Sequence, residues 1–166
     1  MPIELLELNI KLKVVILILI LLIFIIIKRI LKLKKREREI EKYIKSPLSR
    51  IDKMSGEEFE KYLYHIYKSN EKYRVELTPN TGDFGIDLIV DNLKIKKRLG
   101  IQAKRYKGKV GVSAVQEVVA GKRYYNCDVV CVVTNSYFTK SCVELAKIND
   151  VVLIDRKDLK AYLQEI

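Results

Sequence analysis

The sequence predicts an α/β protein: a mixed β-sheet flanked by helices, with an αβββαβ core, preceded by one transmembrane helix. Three observations predict it. An unbroken run of 14 apolar residues, Val14 to Ile27, lies near the start of the chain. Beyond about residue 50, one helical pattern is followed by three strand-like segments, and helix and strand patterns then alternate. The 166 residues allow one ordinary domain plus an appendage, and residues 51–166 are enough for a single core.

Composition excludes several classes. With 49% hydrophobic residues the chain is not disordered throughout, although 32 Lys+Arg against 21 Asp+Glu leave it at +11. Its three cysteines, Cys127, Cys131 and Cys142, are odd in number and form no C-x-x-C, so a secreted disulfide framework is unsupported. His65 is the single histidine. This rules out His-triad zinc sites, H-E-x-x-H peptidases and HNH-type nucleases, all of which need more. Neither G-x-x-x-x-G-K-[ST] nor G-x-G-x-x-G occurs, so the usual nucleotide cradles are missing too.

The first element is the apolar helix. Residues 1–50 carry 12 Lys+Arg and 5 Asp+Glu, so most of the excess charge sits there. Fourteen helical residues rise roughly 21 Å, short of a hydrocarbon core of about 30 Å, and by length alone a buried core helix would do. Yet the apolar character runs all round the helix. Ile10, Leu12, Ile30 and Leu31 extend it, and Lys11, Lys13, Lys28 and Arg29 can snorkel. Ile10 to Leu31 would span a bilayer. No small-residue cleavage site follows; seven Lys/Arg within residues 28–38 form a stop-transfer flank instead. The positive-inside rule then places the C-terminal part in the cytoplasm, in a single-pass arrangement. The expected organisation is an N-terminal flank and span over 1–31, a basic juxtamembrane linker over 32–50, and a globular domain over 51–166.

Residues 28–45 read as a charged helix continuing out of the membrane. Ile30, Leu33, Ile40 and Ile44 lie near a heptad seam that would permit a homodimer, but two short repeats do not demand one. The preferred reading is a solvated basic helix against anionic headgroups. Ser46-Pro47-Leu48-Ser49 reads as a break.

In the domain, Ser55 and Glu58 form a capping-box pattern ahead of a helix to about Ser69, with Phe59, Leu63 and Ile66 as its buried stripe. Tyr73–Thr78, Ile86–Asp91 and Leu99–Arg105 read as strands. A turn at 79–83 separates the first pair, and a basic turn at 92–98 the second. Ser113–Tyr125 is a helix. Asp128–Thr134 is a continuous apolar run, typical of a strand buried on both faces. Phe138–Ile148 is a helix, Val151–Ile154 a strand and Lys157–Gln164 a last helix. The cysteines fall in core positions, and His65 reads as a surface residue.

Two segments carry candidate chemistry, Thr81-Gly82-Asp83-Phe84-Gly85-Ile86-Asp87 and Ile101-Gln102-Ala103-Lys104-Arg105-Tyr106. Asp87 alternates with apolar neighbours, and Gln102 and Lys104 share a strand face. If the two strands are antiparallel neighbours, these three residues converge. Carboxylate and amide oxygens suit a hard cation, and a lysine beside them can orient a water. The same residues would also make a strand-edge Asp87–Lys104 ion pair with a solvated Gln102, and spacing alone does not separate the two.

The stretch from about Met54 to Leu163 resembles the catalytic domain of Mrr-type restriction endonucleases, of the PD-(D/E)XK nuclease superfamily. The likeness lies in the Glu58-Phe59-Glu60 helix start, the G-D-x-G-I-D-L-I-V strand, Ile101 to Tyr106 and Val112-x-x-Val115-Gln116-Glu117. The Val133-Thr134-Asn135-Ser136-x-Phe138-Thr139 turn, Glu144-Leu145-Ala146 and Val152-Leu153-Ile154-Asp155 extend it.

The resemblance implies a restriction-endonuclease-like fold and a DNA endonuclease dependent on Mg²⁺ or Mn²⁺. It implies that Asp87 binds the metal, Gln102 ligates through its amide oxygen in the (D/E) position, and the Ala103 carbonyl completes the ligands. Lys104 matches the catalytic lysine, and Glu60 the acid on the first helix, although Glu60 also reads as an ordinary surface carboxylate. Gln116 is a candidate contact to phosphate or water. Arg105, Lys107 and Lys109, with the 94–98 basic turn, would track the backbone of double-stranded DNA or simply be solvated loops. No organic cofactor is implied.

Mrr enzymes usually carry a DNA-reading domain where this chain has its apolar segment, so sequence specificity does not carry over. A neutral Gln in place of a carboxylate weakens the cation's hold. An inactive DNA-binding or membrane scaffold protein on the same fold is the alternative.

Overall fold

The computed structural model describes residues 3–44, 48–79 and 82–164. The chain divides into two units, Met1–Glu41 and Lys42–Ile166.

Helix α1, Ile3–Ile44, accounts for the first unit. No Gly or Pro interrupts it, so the apolar run and the basic stretch form one continuous helix. Lys11–Lys35 has a mean hydropathy of 3.2, is long and apolar enough to cross a membrane, and buries none of its surface. A soluble core helix would bury most of it. Ile30 and Leu33 of the heptad seam are exposed. The side chains of Ile40 and Ile44, and the Ser46-Pro47 break, lie outside the described residues.

The second unit starts with α2, Leu48–Ile51, whose Ile51 is fully buried. Helix α3, Gly56–Lys68, carries the expected capping box: the Glu58 N–H donates to Ser55 Oγ at 3.1 Å and the Ser55 N–H to Glu58 Oε2 at 2.7 Å. Then come β1 (Tyr73–Leu77), β2 (Leu88–Asn92), β3 (Lys97–Lys104), α4 (Ser113–Tyr124), β4 (Val129–Thr134), α5 (Lys140–Ile148), β5 (Val151–Ile154) and α6 (Arg156–Gln164). The sheet order is β1-β2-β3-β4-β5, antiparallel from β1 to β3 and parallel from β3 to β5. This is the mixed sheet expected.

Strand alternation divides the core. Leu88, Val90, Ile101, Ala103, Cys131 and Val133 face α3 and α6, where Phe59, Tyr62, Leu63, Ile66 and Leu159 pack. Ile89, Val130 and Val132 face the opposite side with Val115, Val118, Cys142 and Ala146 of α4 and α5. Burial on both faces explains why β4 reads as an unbroken apolar run. All three cysteines are free and buried.

Some boundaries shift for local reasons. Helix α5 begins at Lys140 instead of Phe138, because Thr139 Oγ1 caps it by accepting from the Cys142 N–H, and Phe138 bridges to Val110. Strand β2 begins at Leu88, after a turn in which Phe84 and Gly85 have φ of 49° and 80°. His65 is half-buried, its ring edge-on to Tyr64, and so is not a plain surface residue. The basic turn is also relocated. Since β2 and β3 form an antiparallel hairpin, Leu93–Lys96 closes the end of the sheet opposite Asp87, about 17 Å away along β2. The 94–98 basic turn, expected to track DNA together with Arg105, Lys107 and Lys109, therefore lies at the other end of the sheet from them. Arg98 instead grips Asp91, with Nε donating to Oδ1 at 2.8 Å.

Candidate active site

At the other end of the hairpin the ladder brings Asp87 opposite Gln102. Leu88 pairs with Ile101, and the Asp87 N–H donates to the Ile101 carbonyl at 2.8 Å. Asp87 Oδ2 accepts from Gln102 Nε2 at 2.7 Å and from the Ala103 N–H at 2.6 Å. Asp87 is 6% exposed and Gln102 4%. The solvated Gln102 of the salt-bridge alternative is thus not what forms.

The segment before Asp87 is fixed by close packing against α4. Gly85 has φ of 80°, and a Cβ there would sit 2.4 Å from the Glu117 carbonyl oxygen. A Cβ on Gly121, one turn further along α4, would meet the Phe84 carbonyl at 2.6 Å. Only glycine at both places lets the turn lie directly on the helix backbone. The Gly85 N–H donates to Asp83 Oδ1 at 3.0 Å, and the Phe84 ring packs on Tyr124 at 4.2 Å between centroids.

An open cleft of about 400 Å³ results, lined by Glu60, Asp83, Asp87, Gln102, Lys104, Arg105 and Glu117, among others. Glu60, near the start of α3, is half-buried and reaches the cleft. Lys104 Nζ lies 2.6 Å from Glu117 Oε2 on α4, so its ion pair is with Glu117 and not with Asp87. Gln116 is exposed and does not line the cleft. One residue turns a helix by about 100°, which puts Glu117 where Gln116 was expected. Lys107 and Lys109 are exposed on the loop that follows β3.

Burial pushes the Asp87 carboxyl up to about 7; the Ala103 N–H opposes that shift, and the neighbouring Glu60 and Asp83 charges add to it. Burial, then Asp83, raises Glu60 as well. Such a crowd of carboxylates in a partly desolvated cleft favours a proton or a cation.

The donor set fits a hard divalent cation. Gln102 turns its amide nitrogen to Asp87, and its Oε1 is buried with no hydrogen-bond partner among the described residues. Asp87 Oδ1 likewise accepts no hydrogen bond among the described residues. An orphaned buried oxygen beside a carboxylate is costly unless something positive meets it. Among the described residues no three His, Cys, Asp or Glu side chains form a metal-holding group, so any such site is mixed: one carboxylate, one amide oxygen and backbone.

Asp83 and Glu117 did not emerge from sequence reading as site residues. Asp83 lies in the Gly-Asp-Phe-Gly turn and Glu117 beside Gln116, and only the fold turns them inward.

Comparison with known proteins fits this geometry. The Mrr_cat restriction endonuclease family model matches residues 51–163. No curated protein matches the chain. Among solved structures, a protein of unknown function, AF1548, superposes with a TM-score of 0.54 at 11% identity, over 64% of this chain and 64% of that one. The DNA modification-dependent restriction endonuclease AspBHI superposes with a TM-score of 0.54 at 20% identity, over 77% of this chain and 35% of its own. At these identities the likeness is one of fold. This chain spans less than two thirds of either relative's length.

Proposed function

Because this chain belongs to the Mrr_cat restriction endonuclease family, we propose that it is a divalent-metal-dependent DNA endonuclease, held at a membrane by α1 with its nuclease domain on the cytoplasmic side. The observation that carries the catalytic reading is the buried Asp87–Gln102 pair with its orphaned amide oxygen, next to Lys104. The anchoring rests on the exposed apolar Lys11–Lys35 segment, and the orientation on the seven Lys/Arg within 28–38.

Asp87 and Gln102, with the Ala103 carbonyl, would hold Mg²⁺ or Mn²⁺. When bound, the ion would supply charge for the phosphorane and acidify a water. The protein's own groups do the rest. The Ala103 N–H and Gln102 Nε2 keep Asp87 in one rotamer. Lys104, tethered by Glu117, orients the attacking water and stabilises charge developing on phosphate oxygens. Arg105 lines the cleft, and its guanidinium, with the exposed Lys107 and Lys109 further along the loop, would meet the DNA backbone. Glu60 and Asp83 add negative charge that favours the cation. Cleavage would leave a 5′-phosphate and a 3′-hydroxyl.

The test is plasmid cleavage by the full chain in detergent with Mg²⁺ or Mn²⁺. Nicking that stops in EDTA, and in Asp87→Ala and Lys104→Ala, supports the reading. Cleavage that persists in both variants removes the site assignment. DNA retention in Ca²⁺ without cleavage in Mg²⁺ would instead assign a non-catalytic DNA-binding module.

A further inference from the structure

Beside the cleft lies a second open groove of about 360 Å³. Its walls are two loops that leave the sheet at the same end: residues 106–109 after β3, and residues 135–137 after β4. Each presents an exposed tyrosine to the groove, Tyr106 at 56% and Tyr137 at 49% exposure. Lys107 stands next to Tyr106, and Tyr106 is two residues from Lys104.

These loops are not loose. The Tyr106 N–H donates to Asn135 Oδ1 at 2.7 Å, and Ser136 Oγ to the Gly108 carbonyl at 2.6 Å. The Val110 N–H donates to the Tyr137 carbonyl at 2.8 Å. Beneath them, Asn135 is 4% exposed and donates Nδ2 to Asp52 Oδ1 at 2.9 Å. Arg156 grips both Asp52 oxygens, at 2.6 and 2.8 Å, and the Asn135 carbonyl at 2.8 Å. Asp52, the one carboxylate lining the groove among the described residues, is thereby neutralised, and the loops that carry the tyrosines are held on a fixed floor.

Two exposed phenol rings on a fixed frame, with Lys107 lining the same groove and Lys104 lining the cleft, match the chemistry of a nucleobase attached to a phosphate. Stacking on aromatic faces is tolerant of base identity, and a neighbouring cation meets the backbone.

We infer that this groove receives an unstacked nucleobase of the DNA substrate, one or two nucleotides from the scissile phosphate, with Tyr106 as the stacking platform and Tyr137 as the opposite wall. The inference rests on the nuclease reading and deepens it: the substrate is locally opened at the cut, or carries a single-stranded stretch there.

The experiment places 2-aminopurine at successive positions of a duplex and adds the full chain in detergent, as the Lys104→Ala variant with Mg²⁺. Its fluorescence reports unstacking from neighbours and restacking on a protein ring. One position should change its emission severalfold on binding. Tyr106→Ala should abolish that change and weaken binding about tenfold, whereas Tyr106→Phe, which keeps the ring, should preserve both. Circular dichroism confirms that each variant folds. If no position responds while the wild-type chain still nicks plasmid, or if the response survives Tyr106→Ala combined with Tyr137→Ala, the groove does not hold a base and only this inference falls. If the chain neither binds nor cuts DNA, the nuclease reading falls with it.

Discussion

Lys104 Nζ and Glu117 Oε2 stand 2.6 Å apart, joining the end of β3 to the middle of α4 across the mouth of the cleft. Both side chains are partly solvated, so the pair adds little to stability and its value is positional. Glu117→Ala should lower kcat on the order of 10²-fold through misplacement of the ammonium, with DNA affinity in Ca²⁺ unchanged. Glu117→Asp should recover part of the rate. Single-turnover cleavage and filter binding separate the two quantities; an equal fall in affinity would make Glu117 a DNA contact instead.

Replacing Gln102 by Glu should change metal affinity and stability in opposite directions. A second carboxylate beside Asp87 removes the Nε2 donor and adds like charge, so the metal-free protein should melt several degrees lower at neutral pH. Divalent affinity should rise about tenfold or more, since two carboxylates now face the ion. Calorimetric titration with Mn²⁺ and melts in EDTA read both.

Gly85 and Gly82 share positive φ but not surroundings. A Cβ at Gly85 collides with the Glu117 backbone, whereas one at Gly82 meets nothing within 4 Å. Gly85→Ala should therefore cost about 3 kcal/mol or more, and Gly82→Ala about 1 kcal/mol. Denaturant midpoints decide; equal costs would mean that α4 yields.

Acid and neutral pH should destabilise the metal-free protein through different carboxylates. Hydrogen bonding to Arg156, then to Asn135, holds Asp52 below its ordinary 3.8. Its contribution is present above that value and is lost as pH falls through the lower folded value. Asp87 runs the other way. Its folded value of about 7 lies above its ordinary 3.8, so the stability it contributes is full below about 4 and is lost as pH rises towards and through 7. Asp52→Asn should flatten the acidic limb of a stability-against-pH curve in EDTA, and Asp87→Asn the limb from 4 to 7.

The apolar helix, the capping box, the succession of helices and strands along the chain and the Asp87 and Gln102-x-Lys104 motif are legible in the sequence, because each is a local pattern. Fourteen consecutive apolar side chains, Ser55 three before Glu58, and Asp87 alternating with Ile86 and Leu88 carry their meaning within a few residues. Which residues meet across the chain was decided only by the tertiary structure. The antiparallel register set Asp87 against Gln102 and sent the basic turn to the far end of the hairpin. The close seat of Gly85 and Gly121 brought α4 near enough for Glu117, not Gln116, to reach Lys104. Helix phase and strand register are global quantities: a shift of one residue rotates a side chain by about 100° in a helix, or to the opposite face of a sheet, and packing of the whole core selects among these settings.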